Sequence, residues 1–254
     1  MNEKQICITL PGGHAMRARW LRPDTVNPYQ AGVIAIHDIM GYTDDMERIG
    51  RRLAENGYPV LIPDLYDMPG SKPLCVVKTL KAHETGQGQA FEQLEACRQW
   101  LLAQTEEAVT QVGVMGFCMG GRFAVLYASR APVQVVAPFY GGIPKQAGAL
   151  KGICPAVGGW GRTDLIYGGH GDRLAAHLDV LGVPHDIKTY DKVGHSFMND
   201  HQTFFFKKLG GLSPMRARYD AAAAEDSWQR VLTFFKQVFS GELKCWQPVG
   251  LRRS

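Results

Sequence analysis

The chain has 254 residues, of which 45% are hydrophobic and 20% charged, and its formal net charge is +4. This length and apolar content are enough for one substantial core, and they predict a single domain over residues 1–254. The weak, scattered positive charge does not favour nucleic-acid binding, and no apolar stretch approaches the roughly 18 residues of a membrane span.

The cysteines and the N-terminal residues predict a cellular setting. The six cysteines are widely spaced and form no CxxC pair, which is typical of reduced thiols. The first residues lack the basic and apolar segments of a signal peptide. We therefore expect a cytoplasmic protein that does not bind membranes and exists as a monomer or a small homo-oligomer.

The chain begins with a pattern that differs from the rest. Residues 6–10 and 16–20 flank a Pro-Gly-Gly-His turn, which predicts a β-hairpin. Residues 32–37 are a continuous apolar run, typical of a buried parallel strand. Helical spacing follows over residues 44–56 and ends at Asn56-Gly57, and residues 59–63 form the next predicted strand.

From there, short apolar runs alternate with helical segments. Residues 67–86 have a loop-like composition, and helices are predicted over 89–102, 119–129, 170–181 and about 216–239. Strands are predicted over 111–117, 133–140, 154–160 and 185–190. This alternation indicates an α/β fold, a mostly parallel twisted sheet with helices on both faces and an N-terminal β-hairpin.

A strand-to-helix turn carries the strongest chemical signal. Residues 116–121 read Gly-Phe-Cys-Met-Gly-Gly between a predicted strand and a predicted helix. This Gly-x-nucleophile-x-Gly pattern is the nucleophile elbow of α/β-hydrolases, in which small residues allow a sharp turn. A buried structural cysteine is the alternative, but the turn context favours Cys118 as a nucleophile, because the helix N-terminus stabilises a thiolate.

A nucleophile needs a base and an orienting acid, which follow it in the order acid, then histidine, in this fold. His195 follows the last predicted strand in a glycine-containing loop. Asp164 follows the preceding strand and is the favoured acid. Asp172 is the alternative, and Asp191 is less suited because it lies so near His195 in sequence.

Two backbone N–H groups are predicted to form an oxyanion hole. One belongs to Met119, directly after the nucleophile, and the other to Ile39, in the loop after the strand at residues 32–37. With these groups, Cys118 would attack a carbonyl carbon and form an acyl-enzyme that water then hydrolyses.

At these residues the chain resembles the dienelactone hydrolase family over about residues 15–240. The resemblance rests on five motifs, which are His37-Asp38-Ile39-Met40-Gly41, Pro63-Asp64-Leu65-Tyr66, Gly116-Phe117-Cys118-Met119-Gly120-Gly121, Gly161-Arg162-Thr163-Asp164 and Gly194-His195-Ser196-Phe197. It implies an α/β-hydrolase fold, a Cys118-His195-Asp164 triad, a small ester or lactone as substrate, and neither a metal nor an organic cofactor.

Two positions depart from the family pattern. Asp38 stands where members with dienelactone activity carry a glutamate that holds the resting thiol, and Asn199 stands where they carry an arginine for the substrate carboxylate. An amide cannot supply the charged fork of arginine. Asp38 and Asn199, together with Tyr140 at the end of a strand, are predicted to position the substrate or the thiol. Arg122 and the loop lysines Lys72, Lys78 and Lys81 give no clear replacement cation.

Two other functions stay open from the sequence. One is a carboxylesterase or thioesterase for a neutral substrate, with Tyr66, Met68, Tyr140, Trp160 and Phe197 as possible pocket residues. The other is a non-catalytic binding protein on the same fold, because a fold does not by itself imply a function.

Overall fold

Eight strands form one sheet in the computed structural model, which describes residues 1–68, 79, 87–201 and 210–243. The strands are β1 (Asn2–Thr9), β2 (Ala15–Arg22), β3 (Ala31–Ile36), β4 (Val60–Pro63), β5 (Gln111–Phe117), β6 (Val135–Phe139), β7 (Ala156–Gly161) and β8 (His185–Tyr190). Their spatial order is β1-β2-β4-β3-β5-β6-β7-β8. The pairs from β4 through β8 are parallel, and β1 and β2 form the antiparallel edge.

The predicted hairpin is confirmed, and its strands are longer than the sequence pattern indicated. Thr9 pairs with Ala15, and the Leu10 N–H donates to the His14 carbonyl at 2.8 Å. Gly12 and Gly13 have φ values of 96° and 87° in this turn. Such positive values suit glycine because it has no Cβ, and this explains the Gly-Gly pair in the sequence.

Five described helices accompany the sheet. They are α1 (Asp44–Glu55), α2 (Gln89–Leu102), α3 (Met119–Ala128), α4 (His170–Leu181) and α5 (Ala221–Phe239).

Glycines in the strands show which face of the sheet each helix covers. A Cβ at Gly113 would meet Phe239 of α5, whereas a Cβ at Gly116 would meet the backbone of Gly120 in α3. Residues three apart in a strand point to opposite faces, so α3 and α5 cover opposite faces. The same register argument places α2 and α4 with α3, and α1 with α5. The prediction of helices on both faces is therefore confirmed.

The core brings the ends of neighbouring strands together. β3 and β6 are fully buried, and β5 is buried from its second residue onward. The loops after β3, β5, β6, β7 and β8 lie at one edge, because parallel strands all end on the same side. These loops carry Asp38, Cys118, Tyr140, Asp164 and His195.

The structure corrects the start of the last helix. The prediction began at about residue 216, but α5 begins at Ala221, with the Asp220 side chain accepting the Ala223 N–H at 2.9 Å. Arg216 has a φ of 49°, and the Arg218 N–H donates to the His195 carbonyl at 3.1 Å. This segment therefore packs against the His195 loop instead of continuing the helix.

Part of the predicted loop at residues 67–86 lies outside the described residues, and so do Lys72, Lys78 and Lys81. Within the described part of the chain, no helix is both long enough and apolar enough to cross a membrane.

Candidate active site

Cys118 lies at the sharp turn between β5 and α3. Its φ is 54° and its ψ is −112°, a conformation rarely adopted by a residue with a side chain. Its N–H donates to the Phe139 carbonyl at 3.0 Å, and its carbonyl accepts the Gly121 N–H at 3.1 Å. The half-buried side chain therefore stands at the N-terminus of α3, as expected for a nucleophile elbow.

The turn requires glycine at two positions. A Cβ at Gly116 would lie 2.2 Å from the Gly120 carbonyl oxygen, and a Cβ at Gly120 would lie 2.4 Å from the Ile36 carbonyl oxygen. Both obstacles are backbone atoms and cannot rotate away. The glycines of the motif thus allow α3 to approach β3 and β5 closely.

Asp164 and His195 lie next to each other in the structure. The His195 Nδ1 is 2.7 Å from an Asp164 carboxylate oxygen, and the two side chains are 3% and 1% exposed. The other carboxylate oxygen of Asp164 accepts the N–H groups of Ile166 and Tyr167. Asp164 is therefore fixed as an acceptor for the Nδ1 proton.

The alternative acids lie elsewhere. Asp172 pairs with Arg162 at 2.6 Å and accepts the Thr189 hydroxyl at 2.8 Å, and its side chain is 56% exposed. Asp191 is more exposed still. The geometry favours Asp164.

His195 has a raised pKa. Burial acts against its protonation, but the electrostatic and hydrogen-bond interactions of the imidazole with Cys118 and Asp164 outweigh burial and raise the pKa of His195 to about 9. The Nε2 atom is buried, on the opposite side of the ring from Asp164. Cys118 thus lies within electrostatic reach of a histidine that holds its proton at neutral pH.

The two predicted oxyanion donors line the same cavity as Cys118. Among the described residues, neither the Ile39 N–H nor the Met119 N–H donates a hydrogen bond to another group. The Tyr66 hydroxyl donates to the Ile39 carbonyl at 2.9 Å and lies 3.7 Å from the Met119 sulfur. Tyr66 therefore fixes the Ile39 carbonyl.

The cavity has a volume of about 190 Å³ and is mostly apolar. Its polar residues are Asp38, Cys118, His195, Ser196 and His201. The remaining lining residues are Ile39, Met40, Met119, Tyr167, Met215 and Ala217. No lysine or arginine is among the described residues that form its wall.

Asp38 lines the cavity, but its carboxylate contacts a histidine. One oxygen lies 2.9 Å from Nε2 of His201, and the other accepts the Met40 N–H at 2.8 Å. The two side chains are 5% and 7% exposed. Asp38 therefore forms an ion pair with His201 and a hydrogen bond within its own loop.

Tyr140 and Asn199 do not line this cavity. Tyr140 is fully buried, its ring centroid lies 5.0 Å from that of His195, and its hydroxyl donates to the Asn199 amide oxygen. The Asn199 amide nitrogen donates to Asp45 at 2.5 Å. Both polar atoms of the Asn199 side chain thus contact protein groups. Tyr140 and Asn199 therefore lie behind His195, by which we mean outside the lining of the cavity.

The network behind His195 includes residues that the sequence pattern did not single out. Arg48 donates to Asp45 at 2.7 Å and to the Met198 carbonyl at 2.7 Å. Arg48 and Asp45 lie on α1, far from His195 in sequence. The sequence signal that could have found them was a charged pair three residues apart on an otherwise apolar helix face.

Within the described part of the chain, no three His, Cys, Asp or Glu side chains converge in a way that could hold a metal ion.

The chain is similar to known proteins over most of its length. The profile of the dienelactone hydrolase family matches residues 16–239. A carboxymethylenebutenolidase from Rhodococcus opacus is 32% identical over 222 residues, covering 82% of this chain and 81% of the relative.

Solved structures share the fold. A dienelactone hydrolase-like promiscuous phosphotriesterase from metagenomic libraries is 20% identical, with a TM-score of 0.74 over 93% of this chain and 98% of that one. A dienelactone hydrolase from Anabaena variabilis is 16% identical, with a TM-score of 0.63 over 96% of this chain and 100% of that one. The architecture is therefore the α/β-hydrolase fold, and the family match shows that this chain is a hydrolase that belongs to the dienelactone hydrolase family.

Proposed function

We propose that this chain hydrolyses a small ester or lactone through Cys118, His195 and Asp164 by way of an acyl-enzyme. The observation that carries the proposal is the 2.7 Å contact between His195 and Asp164, beside the strained turn that presents Cys118 to the same cavity. The family supports the reaction class, and the site supports the assignment of roles.

The reaction begins with the thiolate of Cys118 and a protonated His195. The sulfur attacks the carbonyl carbon, and the carbonyl electron pair moves to the oxygen. The N–H groups of Met119 and Ile39 stabilise that oxyanion, which commonly is the largest electrostatic contribution to such a step. When the carbonyl re-forms, the ester C–O bond breaks and His195 gives its proton to the leaving alkoxide.

Deacylation reverses these roles. His195, now neutral, takes a proton from water, and the hydroxide attacks the thioester carbon. Collapse of the second tetrahedral intermediate breaks the C–S bond, releases the carboxylic acid and restores the Cys118 thiolate. With a lactone, the leaving alcohol stays attached to the acyl group, so the product is a hydroxy acid.

Asp164 acts through His195. Its carboxylate holds the Nδ1 proton and so directs Nε2 towards the reacting atoms. We infer that Tyr140 and Asn199 support His195 from behind, because the Tyr140 ring packs on the imidazole and neither residue lines the cavity.

A neutral ester or thioester is a second candidate substrate. The described wall of the cavity is mostly apolar and contains no lysine or arginine, and the position predicted to replace a carboxylate-binding arginine is the buried Asn199. A neutral acyl group would contact such a wall without leaving a charge unpaired.

Two substrates distinguish these candidates. The hydrolysis of a lactone that bears a free carboxylate and that of a neutral short-chain aryl ester are measured with the wild type and with Cys118→Ser. A preference for the lactone, lost in the variant, supports a dienelactone hydrolase activity. A preference for the neutral ester, also lost in the variant, supports the second candidate, whereas equal turnover by Cys118→Ser contradicts the proposed mechanism.

A further inference from the structure

A second histidine–aspartate pair lines the cavity, and the proposed triad does not use it. The Nε2 of His201 lies 2.9 Å from Asp38, and both side chains are more than nine-tenths buried. His201 follows β8 by eleven residues, while Asp38 follows β3 by two. The pair therefore joins the histidine loop to the loop after β3.

Asp38 controls the shape of the loop that it begins. One of its carboxylate oxygens accepts the Met40 N–H at 2.8 Å, and its carbonyl accepts the Gly41 N–H at 3.1 Å. Residues 38–41 thus form a turn closed by Asp38, which we call the oxyanion loop. The Ile39 N–H belongs to the peptide that links Asp38 to Ile39, so its direction follows the orientation of Asp38.

His37 and Tyr66 hold the oxyanion loop on its other side. The His37 Nε2 accepts the Leu65 N–H at 3.1 Å, so its Nδ1 carries the proton and donates to the Asp38 carbonyl at 2.6 Å. Burial lowers the pKa of His37, which agrees with this neutral tautomer. Tyr66 fixes the Ile39 carbonyl. On the cavity side, the Asp38 side chain is held by His201.

The charges around His201 favour its protonated form. Burial opposes protonation, but Asp38 on the oxyanion loop, Asp45 on α1 and Asp200 on its own loop together raise the pKa of His201. Two further ionisable residues of the cavity wall, Cys118 and His195, belong to the proposed catalytic triad. A charged donor makes the contact with Asp38 stronger than a neutral one would.

We propose that His201 is a positioning residue for the oxyanion hole, because its ion pair with Asp38 holds the oxyanion loop so that the Ile39 N–H faces the substrate carbonyl oxygen that becomes the oxyanion. The inference rests on the proposed function and adds a residue to it. His201 does not take part in proton transfer. Its loss weakens the stabilisation of the oxyanion in the transition state and leaves the Cys118–His195–Asp164 contacts in place.

Two reactions at Cys118 test this role. Hydrolysis of a neutral aryl ester needs the oxyanion hole, whereas alkylation by iodoacetamide needs the thiolate but forms no oxyanion on a carbonyl. For His201→Ala we expect kcat to fall roughly ten- to hundred-fold, since removing an oxyanion donor outright costs about 10²–10³. The KM and the alkylation rate of the Cys118 peptide, followed by mass spectrometry, stay close to the wild-type values.

Matched variants accompany this measurement. His201→Gln keeps a side-chain N–H donor for Asp38 and should recover part of kcat. His185→Ala removes a histidine of β8 that does not line the cavity, and it should leave both reactions unchanged. If His201→Ala does not fold, Asp38→Asn breaks the same charged pair, and kcat should fall while the alkylation rate does not.

The outcomes are distinct from those that test the triad. An unchanged kcat in His201→Ala, or a parallel loss of hydrolysis and alkylation, overturns the proposal for His201. Full hydrolysis by Cys118→Ala instead overturns the proposed function, whatever His201 does. A loss of kcat in His201→Ala without a loss of the alkylation rate, partly rescued by His201→Gln, supports the proposed role of His201.

Discussion

At the scale of single residues, the site depends on which charges surround His195. The imidazole lies between the buried Asp164 carboxylate and Cys118, the proposed nucleophile, and together they raise the pKa of His195 to about 9 against the effect of burial. A proton held at neutral pH is what the leaving alkoxide needs. Above the pKa of His195 that proton is lost, so activity should decline on the alkaline side.

Asp164→Asn tests this balance. The variant removes a negative charge that favours the imidazolium, so the pKa of His195 falls and the alkaline decline of kcat/KM moves to lower pH. The rate should also fall, by roughly 10²–10⁴, because the amide no longer fixes the Nδ1 proton. A pH–rate profile measures both effects. An alkaline limb at the same pH in wild type and variant would refute the assignment of Asp164.

Tyr140→Phe tests the network behind His195. The variant removes the hydroxyl that donates to Asn199, and it leaves a buried amide oxygen without that donor. We expect the free energy of unfolding to fall by about 1–3 kcal/mol in urea titration, together with a lower kcat.

The matched control for this variant is Tyr58→Phe. Tyr58 packs against Phe235 and Phe239, and its hydroxyl donates to no other described residue. Loss of that hydroxyl should change stability little. Equal effects of the two variants would show that the Asn199 contact has no special weight.

The sequence could predict Cys118, Asp164 and His195 as neighbours because chain order and strand ends constrain them. It could not predict the contact between Asp38 and His201, or that between Asn199 and Asp45, because each joins loops or helices whose separation in space depends on the whole fold. For the same reason the pattern predicted that Asn199 positions the substrate or the thiol, whereas the structure buries its amide against Tyr140 and Asp45. The catalytic roles themselves stay predictions.

At the scale of elements, the turn between β5 and α3 depends on glycine for its packing. Gly120→Ala would place a Cβ 2.4 Å from the oxygen of Ile36, the last residue of β3, and 2.5 Å from the oxygen of His37, the next residue. We expect this variant to be strongly destabilised, with a melting temperature many degrees lower or no soluble protein. Thermal melts of purified variants measure this directly.

Gly148→Ala is the matched control for that variant. A Cβ at Gly148 would meet no atom within 4 Å, and this glycine lies in a short 3₁₀ helix (Ala147–Leu150) and does not line the cavity. Its melting temperature should stay near the wild-type value. A stable Gly120→Ala protein would show that α3 can move away from β3, contrary to the packing described.

Most element boundaries could be predicted from the sequence. The helices at residues 89–102 and 170–181 and the strand at 185–190 agree in both ends, because apolar periodicity and flanking glycines mark them locally. The start of α5 could not be predicted from the sequence. Residues 216–220 have the composition of a helix, but backbone hydrogen bonds hold them against the His195 loop. Tertiary contacts outweigh helix propensity there.

At the scale of the whole molecule, one continuous sheet connects the N-terminal hairpin to the candidate site. The parallel order could be predicted from alternating strand and helix patterns, whereas the exchange of β3 and β4 in the spatial order has no local signal. α5 reaches across the sheet, and the Gln111 amide donates to the Phe239 carbonyl at 3.2 Å. We propose that the chain behaves as one folding unit.

Chemical denaturation tests that proposal. Trp20 lies on β2 in the hairpin half of the sheet, Trp160 lies on β7 in the other half, and Trp228 lies on α5; all three are buried. Tryptophan fluorescence and far-UV circular dichroism should therefore report one coincident transition in urea. Two separated transitions would indicate independent units and would contradict a single domain.

The central claim is that turnover passes through a covalent bond to Cys118. The most direct measurement is intact-protein and peptide mass spectrometry after rapid quenching of the enzyme with a neutral aryl ester, on the wild type, Cys118→Ala and Cys7→Ser. Cys7 is an exposed cysteine on β1 and serves as the matched control. The account predicts one acyl group on the Cys118 peptide of the wild type and of Cys7→Ser, with neither adduct nor turnover in Cys118→Ala. Turnover by Cys118→Ala at the wild-type rate would contradict it.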